Sequence, residues 1–322
     1  MFDTEKLFQV TFCMARQCWE QALLAQAMLE CGHTGKEFEY VVRNMIVRQN
    51  PDGRLCDVEN TPAVVDSCFC IPAVMWLGEK YQESYYLDAA KRNFDYLKEE
   101  AARSEDGTLY HMLGSREIWA DGIGYLPYVY ALMGDPKAGI QQLYLILDKL
   151  YNPENGLYMQ RLDEGTGEVL NGEWAIGEGW ILTGLVRLYQ ELIRQYPGLY
   201  EEEKKKIQTT FTELLDRVLA YETEDHLFHD ILPDTSTYKE TESVIMVALA
   251  IYRAVQAGML DAKYLERAEL LRLAAEGKVD EDGLVQDCAG SPTFTCPGTS
   301  VEGQMHMAMM EQAYKELQPE RV

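Results

Sequence analysis

Apolar positions recur at helical spacing along most of the chain, in long segments separated by short clusters of Gly, Asp, Asn and Pro. Strand-like alternation appears only in brief pieces, so the pattern predicts a mainly helical protein. Two kinds of segment alternate. Some, for example residues 84–102, 201–222 and 262–276, carry one apolar stripe and one polar face, whereas 16–31, 62–78, 118–133, 174–192, 243–257 and 301–317 are apolar on most sides. The first kind suits a position between core and solvent; the second has to be buried nearly all round.

Between the two kinds sits a repeated punctuation: Asp52-Gly53-Arg54-Leu55, Asp106-Gly107-Thr108-Leu109, Asn155-Gly156-Leu157, Asp225-His226-Leu227 and Asp282-Gly283-Leu284, at intervals of 49 to 70 residues. Asp-Gly and Asn-Gly favour the positive φ of a tight turn, and the following Leu can fold back onto the helices. Each interval holds two helices. Six apolar and five clear amphipathic helices fit a closed toroid, an all-α (α/α)6-barrel with a short or incomplete first pair. An open solenoid of helix pairs is the alternative. Either way the chain reads as one domain, residues 1–322.

Composition adds limits to this picture. With 47% apolar and 25% charged residues the chain has ample core material. The first ten residues lack a basic stretch followed by an apolar one, and no apolar run approaches the ~18 residues of a membrane span, so a cytoplasmic location is expected. Cys13, Cys18, Cys31, Cys56, Cys68, Cys70, Cys288 and Cys296 show no paired CxxC spacing and read as reduced core thiols, with no metal and no cofactor expected. The Met-rich run around His306 reads as core, and Asp225 to Asp230 as a solvated loop. A net charge of −24 argues against nucleic acid as a partner. It also makes an anionic substrate awkward unless the site supplies its own donors.

Candidate chemistry lies at the starts of the apolar helices, where Asp66, Asp121, Glu178, Glu242 and Glu302 recur. Helix dipoles favour carboxylates there, and capping alone accounts for some of them. Capping does not need the neighbours, however: Trp119 precedes Asp121-Gly122, and Trp174 and Trp180 flank Gly177-Glu178-Gly179. Indoles beside carboxylates suit sugar recognition, with ring faces on pyranose and carboxyls binding hydroxyls or moving protons.

The stretch Gly107-Thr108-Leu109-Tyr110-His111, followed by Ile118-Trp119-Ala120-Asp121-Gly122, resembles the "G…H…(M/I)WxDG" segment of glycoside hydrolase families 88 and 105. These are the unsaturated glucuronyl and rhamnogalacturonyl hydrolases. Trp174 to Trp180 is similar to their "WxRGNGW", Tyr238 to Thr241 to "YxET", and Val279 to Gly283 to "VDEDG"; Asp66 stands where the families carry another acid. The likeness runs from about residue 66 to 313 and implies an (α/α)-barrel. It also implies removal of a 4,5-unsaturated uronic acid from pectin- or glycosaminoglycan-derived oligosaccharides by hydration of the vinyl ether. On this resemblance Asp121 is the general acid/base, Asp66 its partner and His111 an assistant. Trp119, Trp174, Glu178, Trp180, Glu242 and Arg116 are expected to bind the sugar. Two departures stand out: Ile176 and Glu178 replace the pattern's Arg and Asn, and Gln160 replaces the His of "GLYxHxxD".

The resulting expectation is a cytoplasmic glycosidase, monomer or homodimer, whose partner is a small oligosaccharide rather than nucleic acid or membrane. The alternatives are a barrel enzyme on a neutral or basic sugar, and a non-catalytic carbohydrate-binding homologue.

Overall fold

A computed structural model describes residues 4–57, 63–291 and 293–318. Among them, twelve α-helices alternate between two concentric layers. The outer layer holds α1 (Thr4–Met14), α3 (Lys36–Val47), α5 (Ser84–Glu99), α7 (Pro136–Leu150), α9 (Glu201–Leu219) and α11 (Leu265–Glu276). The inner layer holds α2 (Cys18–Glu30), α4 (Ile71–Tyr81), α6 (Leu126–Leu132), α8 (Ala175–Gln195), α10 (Thr241–Gln256) and α12 (Val301–Leu317). Burial separates the layers as the apolar pattern requires: thirteen of the 16 residues of α10 are buried, against six of the 19 in α9.

Each inner helix packs on the next, and α12 returns to α2. At that seam Trp19 Nε1 donates to Glu302 Oε1 at 2.6 Å, and Cys31 Sγ lies 3.5 Å from the Ala308 carbonyl. The ring is closed, so the solenoid is excluded and the fold is the (α/α)6-barrel. Its first pair is complete: α1, the shortest outer helix at 11 residues, buries Leu7 and Phe8 and packs on α2 and α12.

Two inner helices begin later than the apolar pattern suggests. Pro62, the expected start of the second, lies outside the described residues. A 3-10 turn, Asp66–Cys70, precedes α4, and another, Ala120–Gly124, precedes α6. Pro72 and Pro127 stand at the two helix starts, where a residue without an N–H is tolerated but cannot extend the α ladder backward.

The repeated punctuation falls in the five connections that run from an outer to an inner helix, from α3–α4 onward. Gly53, Gly107, Gly156 and Gly283 all have positive φ, and His226 adopts φ 60° where the other turns use Gly. Asp52, Asp106 and Asn155 each accept the N–H two residues ahead at 3.0 Å, closing the turn. Leu55, Leu109, Leu157, Leu227 and Val285 fold back into the core. These connections therefore gather at one mouth, together with the starts of the inner helices. Two of them pair as a small antiparallel sheet of β1 (Glu117–Trp119), β2 (Arg161–Asp163) and β3 (Glu168–Leu170), with Trp119 opposite Arg161. A second ribbon joins β4 (Phe228–His229) to β5 (Lys239–Glu240). No helix among the described residues is long and apolar enough to cross a membrane.

Two glycines let the Asp121 turn dock on α8. A Cβ on Gly184 would stand 2.1 Å from the Ile123 carbonyl oxygen, and one on Gly124 would stand 2.4 Å from the Trp180 ring. The first obstacle is backbone and cannot rotate away. Gly184→Ala is accordingly expected to destabilise the protein by about 1–3 kcal/mol, as overpacking does. Urea unfolding measures it, and an unchanged midpoint would show that the turn yields freely.

Candidate active site

The mouth encloses a cavity of about 320 Å³. Asp66, the first residue of one 3-10 turn, and Asp121, the second of the other, both line it. His111 joins them from the connection after α5. Its Nε2 lies 2.9 Å from Asp66 Oδ1, and its ring is buried. Burial by itself pulls the imidazole toward the neutral form, but the adjacent Asp66 carboxylate overrides it and leaves the His111 pKa raised. The charged imidazolium is thus favoured more than in an isolated histidine.

Asp121 behaves differently. Burial raises its pKa; the His111 charge opposes this, and Asp66 adds to it. Its Oδ2 accepts from Gln160 Nε2 at 3.4 Å, and Gln160 Oε1 is held in turn by Asn171 Nδ2 at 2.6 Å. A carboxyl shifted toward its protonated form, close to the bonded Asp66–His111 pair, can act as a proton donor.

The wall opposite is acidic yet largely uncharged. Glu242 and Glu302 are each the second residue of their helices and both line the cavity. Burial pushes Glu242 up to about 8, against the pull of the Ser300 hydroxyl, which donates to its Oε2 at 3.0 Å; Asp121 pushes in the same direction as burial. Glu302 is raised well above the usual range by burial, then by Glu242. Glu242 Oε1 is 3.1 Å from His306 Nδ1, but burial lowers His306 to about 3. That contact is consequently a neutral hydrogen bond rather than an ion pair.

Aromatic residues complete the enclosure. Trp174 donates from Nε1 to Asp230 at 2.9 Å and meets Phe294 edge-on, and Trp180 sits between Phe69, Tyr125 and His306. Trp119 is engaged by its neighbours: His111 stacks parallel to it at 4.4 Å, and the Arg161 guanidinium stands 4.8 Å from its ring centre.

The sequence profile described as Glycosyl Hydrolase Family 88 matches residues 2–301. The chain belongs to that family. Solved structures agree on the fold of this family 88 chain. A family 105 glycoside hydrolase from C. acetobutylicum ATCC 824 superposes with TM-score 0.80 at 14% identity, covering 97% of this chain and 99% of that one. A possible family 105 member from Klebsiella pneumoniae gives 0.79 at 16% identity, with 92% and 82% covered. The unsaturated glucuronyl hydrolase of Bacillus sp. GL1, described as responsible for glycosaminoglycan degradation, gives 0.68 at 14%, with 93% and 86% covered. No curated protein matches.

Of the nine residues singled out from the sequence, seven surround the cavity of the family 88 chain: Asp66, His111, Trp119, Asp121, Trp174, Trp180 and Glu242. Glu178 and Arg116 do not line it. Trp174 caps α8, so Ile176 is its second residue and faces the cavity as Glu242 and Glu302 do from their helices. Glu178, two residues on, is turned by about 200° away from the axis. It is fully buried, accepts the Tyr158 N–H at 2.6 Å, and burial raises its pKa strongly. Arg116 is exposed on the outer side, held by Tyr110 Oη at 3.2 Å and Glu164 at 3.5 Å.

Several lining residues were not among the nine, notably Trp19, Gln160, Arg161, Asn171 and Glu302. Glu302 carried the helix-start signal already. Trp19, one residue into α2, occupies the same level of the mouth, and a search for aromatic residues at inner-helix starts would have found it. Arg161 and Asn171 come from sheet connections that helical periodicity does not register.

A pH dependence of stability follows from the buried acids. Folded-state values near 8 for Glu240 and Glu242 lie above the ordinary carboxyl value of about 4.3. Folding therefore favours the protonated forms. The resulting stabilisation is complete below about pH 4.3 and is lost as pH rises through about 8. Glu242→Gln keeps the hydrogen-bonding shape but cannot ionise, and calorimetry should find its Tm less dependent on pH between about 5 and 8 than that of the parent. An equal slope in both would assign the dependence to other groups.

Proposed function

We propose that this family 88 protein removes a 4,5-unsaturated uronic acid from the end of a short oligosaccharide by hydrating its vinyl ether, with Asp121 as proton donor. The observation that carries the reading is the pairing of unlike acids: Asp121 has a raised pKa and Asp66 lies 2.9 Å from His111, in one half-dry cavity. Protonating a carbon needs a neutral carboxyl at working pH, and burial of Asp121 favours that form.

The steps balance without a second reactant beyond water. Asp121 gives its proton to C4, and the positive charge at C5 is shared with the ring oxygen. Water adds at C5 and returns a proton to Asp121. The hemiketal so formed opens and releases the aglycone. The Asp66–His111 pair stands close enough to influence the charge on Asp121 throughout, and Gln160 fixes the orientation of its Oδ2.

The overall charge of −24 is less of an obstacle than it first suggests. Burial keeps Glu242 and Glu302 largely protonated, so they can donate hydrogen bonds to hydroxyls instead of repelling an anion. Arg161 lies on the lining with its Nε buried and unpartnered, and its contact with Glu117 is a loose 3.9 Å. It is the group suited to a uronate carboxylate, since Ile176 stands where the family pattern has an Arg. A second reading, a barrel glycosidase for a neutral sugar, draws on the apolar Ile176 and the number of carboxyls in the lining.

Unsaturated uronates absorb in the near ultraviolet and hydration abolishes the band. Mixing the protein with a polysaccharide-lyase digest should bleach it, and Asp121→Asn should slow the bleaching by ~10²–10⁴-fold. An unbleached digest, with hydrolysis of a neutral chromogenic glycoside instead, would sink the first reading in favour of the second. Arg161→Met is expected to raise KM for the uronate by roughly tenfold or more, the loss of about 1.4 kcal/mol or more of a charged hydrogen bond, with kcat little changed. Equal KM values would remove Arg161 from the carboxylate site. Since Asp121 must be protonated to act, activity should fall as pH rises through its elevated pKa.

A further inference from the structure

Beside the Asp66 turn, three thiols meet that no catalytic role uses. Cys18 is the first residue of α2, Cys56 lies in the connection from α3 to α4, and Cys70 ends the 3-10 turn that begins with Asp66. Their sulfurs all lie within 4.8 Å of one another. Each side chain is buried, at 2%, 0% and 0% exposure.

Buried cysteines often serve as small apolar residues. Two features distinguish this group. The sulfurs come from three separate segments and still point at one spot. In addition, Cys56 holds a left-handed backbone, φ 54°, which costs a residue with a Cβ roughly 1–2 kcal/mol and is found where other demands outweigh the strain. That conformation is fixed by the Cys56 N–H donating to the Met45 carbonyl at 3.0 Å.

We propose that Cys18, Cys56 and Cys70 are the ligands of a thiophilic closed-shell cation, of the Zn(II) or Cu(I) class, which ties α2 to the turn carrying Asp66. Thiolates at ~2.3 Å from zinc stand roughly 3.8 Å apart, so the three sulfurs need only small rotations to close on an ion. Soft all-sulfur sites of this kind select such cations over Mg(II) or Ca(II). Gln21 Oε1, 3.5 Å from Cys56 Sγ, is the nearest oxygen donor the hydrogen bonds record beside the cluster. Binding a cation displaces the protons of the thiols it ligates. Because Asp66 is four residues from Cys70, the ion would stiffen the segment that orients the Asp66–His111 pair without touching substrate.

The test uses the full-length protein, reduced and freed of metal, titrated with Cd(II) as a spectroscopic stand-in for Zn(II). The expected result is a thiolate-to-cadmium ultraviolet band saturating near one equivalent, displaced by Cu(I) or excess Zn(II), with proton release. Cys56→Ser and Cys70→Ser should each weaken binding by at least ~10-fold, while Cys296→Ser, at an exposed position, leaves it unchanged. Should the variants misfold, the unaltered protein decides: Zn(II) should protect Cys18, Cys56 and Cys70, and not Cys13 or Cys296, from alkylation mapped by mass spectrometry. A band that survives both serine variants, or a protection pattern indifferent to Zn(II), overturns the proposal.

Discussion

The 3-10 turn Ala120–Gly124 lies directly against α8, closer than any side chain on Gly184 or Gly124 would permit. That contact sets the depth of Asp121 in the ring and the plane of Trp180, and so how dry the mouth is on that side. Dryness in turn decides protonation: a carboxyl on the rim would ionise in water, whereas one set back among indoles and other carboxyls leans toward its neutral form. The chemistry of the site thus rests on a backbone packing distance, with two glycines as its condition.

The electrostatics divide into two regimes. The exterior carries most of a net charge of −24. Around the cavity, Glu242, Glu302 and Asp121 are moved toward neutrality, and the remaining carboxylate, Asp66, is matched by His111. Arg161 adds a positive group backed by the Trp119 face. Hydrogen-bond donors are therefore more numerous in the cavity than a count of acidic residues suggests. Glu240 shows the other use of an acid at a helix start. It caps α10 by accepting the N–H groups of Glu242 and Ser243, and it faces protein rather than the cavity.

Relatives at 14–16% identity keep the whole barrel, which reflects how little of the fold depends on particular side chains. A closed ring of helix pairs needs apolar inner helices, turns that accept positive φ, and a few small residues where backbones meet. The mouth carries Ile176 and Gln160 on its lining. Arg161, one residue past Gln160, brings a cation to the cavity from the sheet rather than from α8. The sheet register sets Arg161 opposite Trp119.

Helical periodicity and the Asp-Gly turns are local properties, and they determined the layers, the order of the helix pairs and the end at which chemistry gathers. The seven cavity residues legible in the sequence are those set by helix starts or by the family-like motifs. What tertiary structure alone decided are relations across the ring: that the first pair is complete and the toroid closed, and that α8 begins where Ile176 rather than Glu178 faces the axis. It likewise decided that Arg161 and not Arg116 reaches the cavity, and that Trp119 stacks on His111. Three cysteines spaced 38 and 14 residues apart become neighbours only after α2 and the Asp66 turn have docked. Proton affinity belongs to the same class, because burial is a property of everything that surrounds a group, and most of that surrounding is far away in the chain.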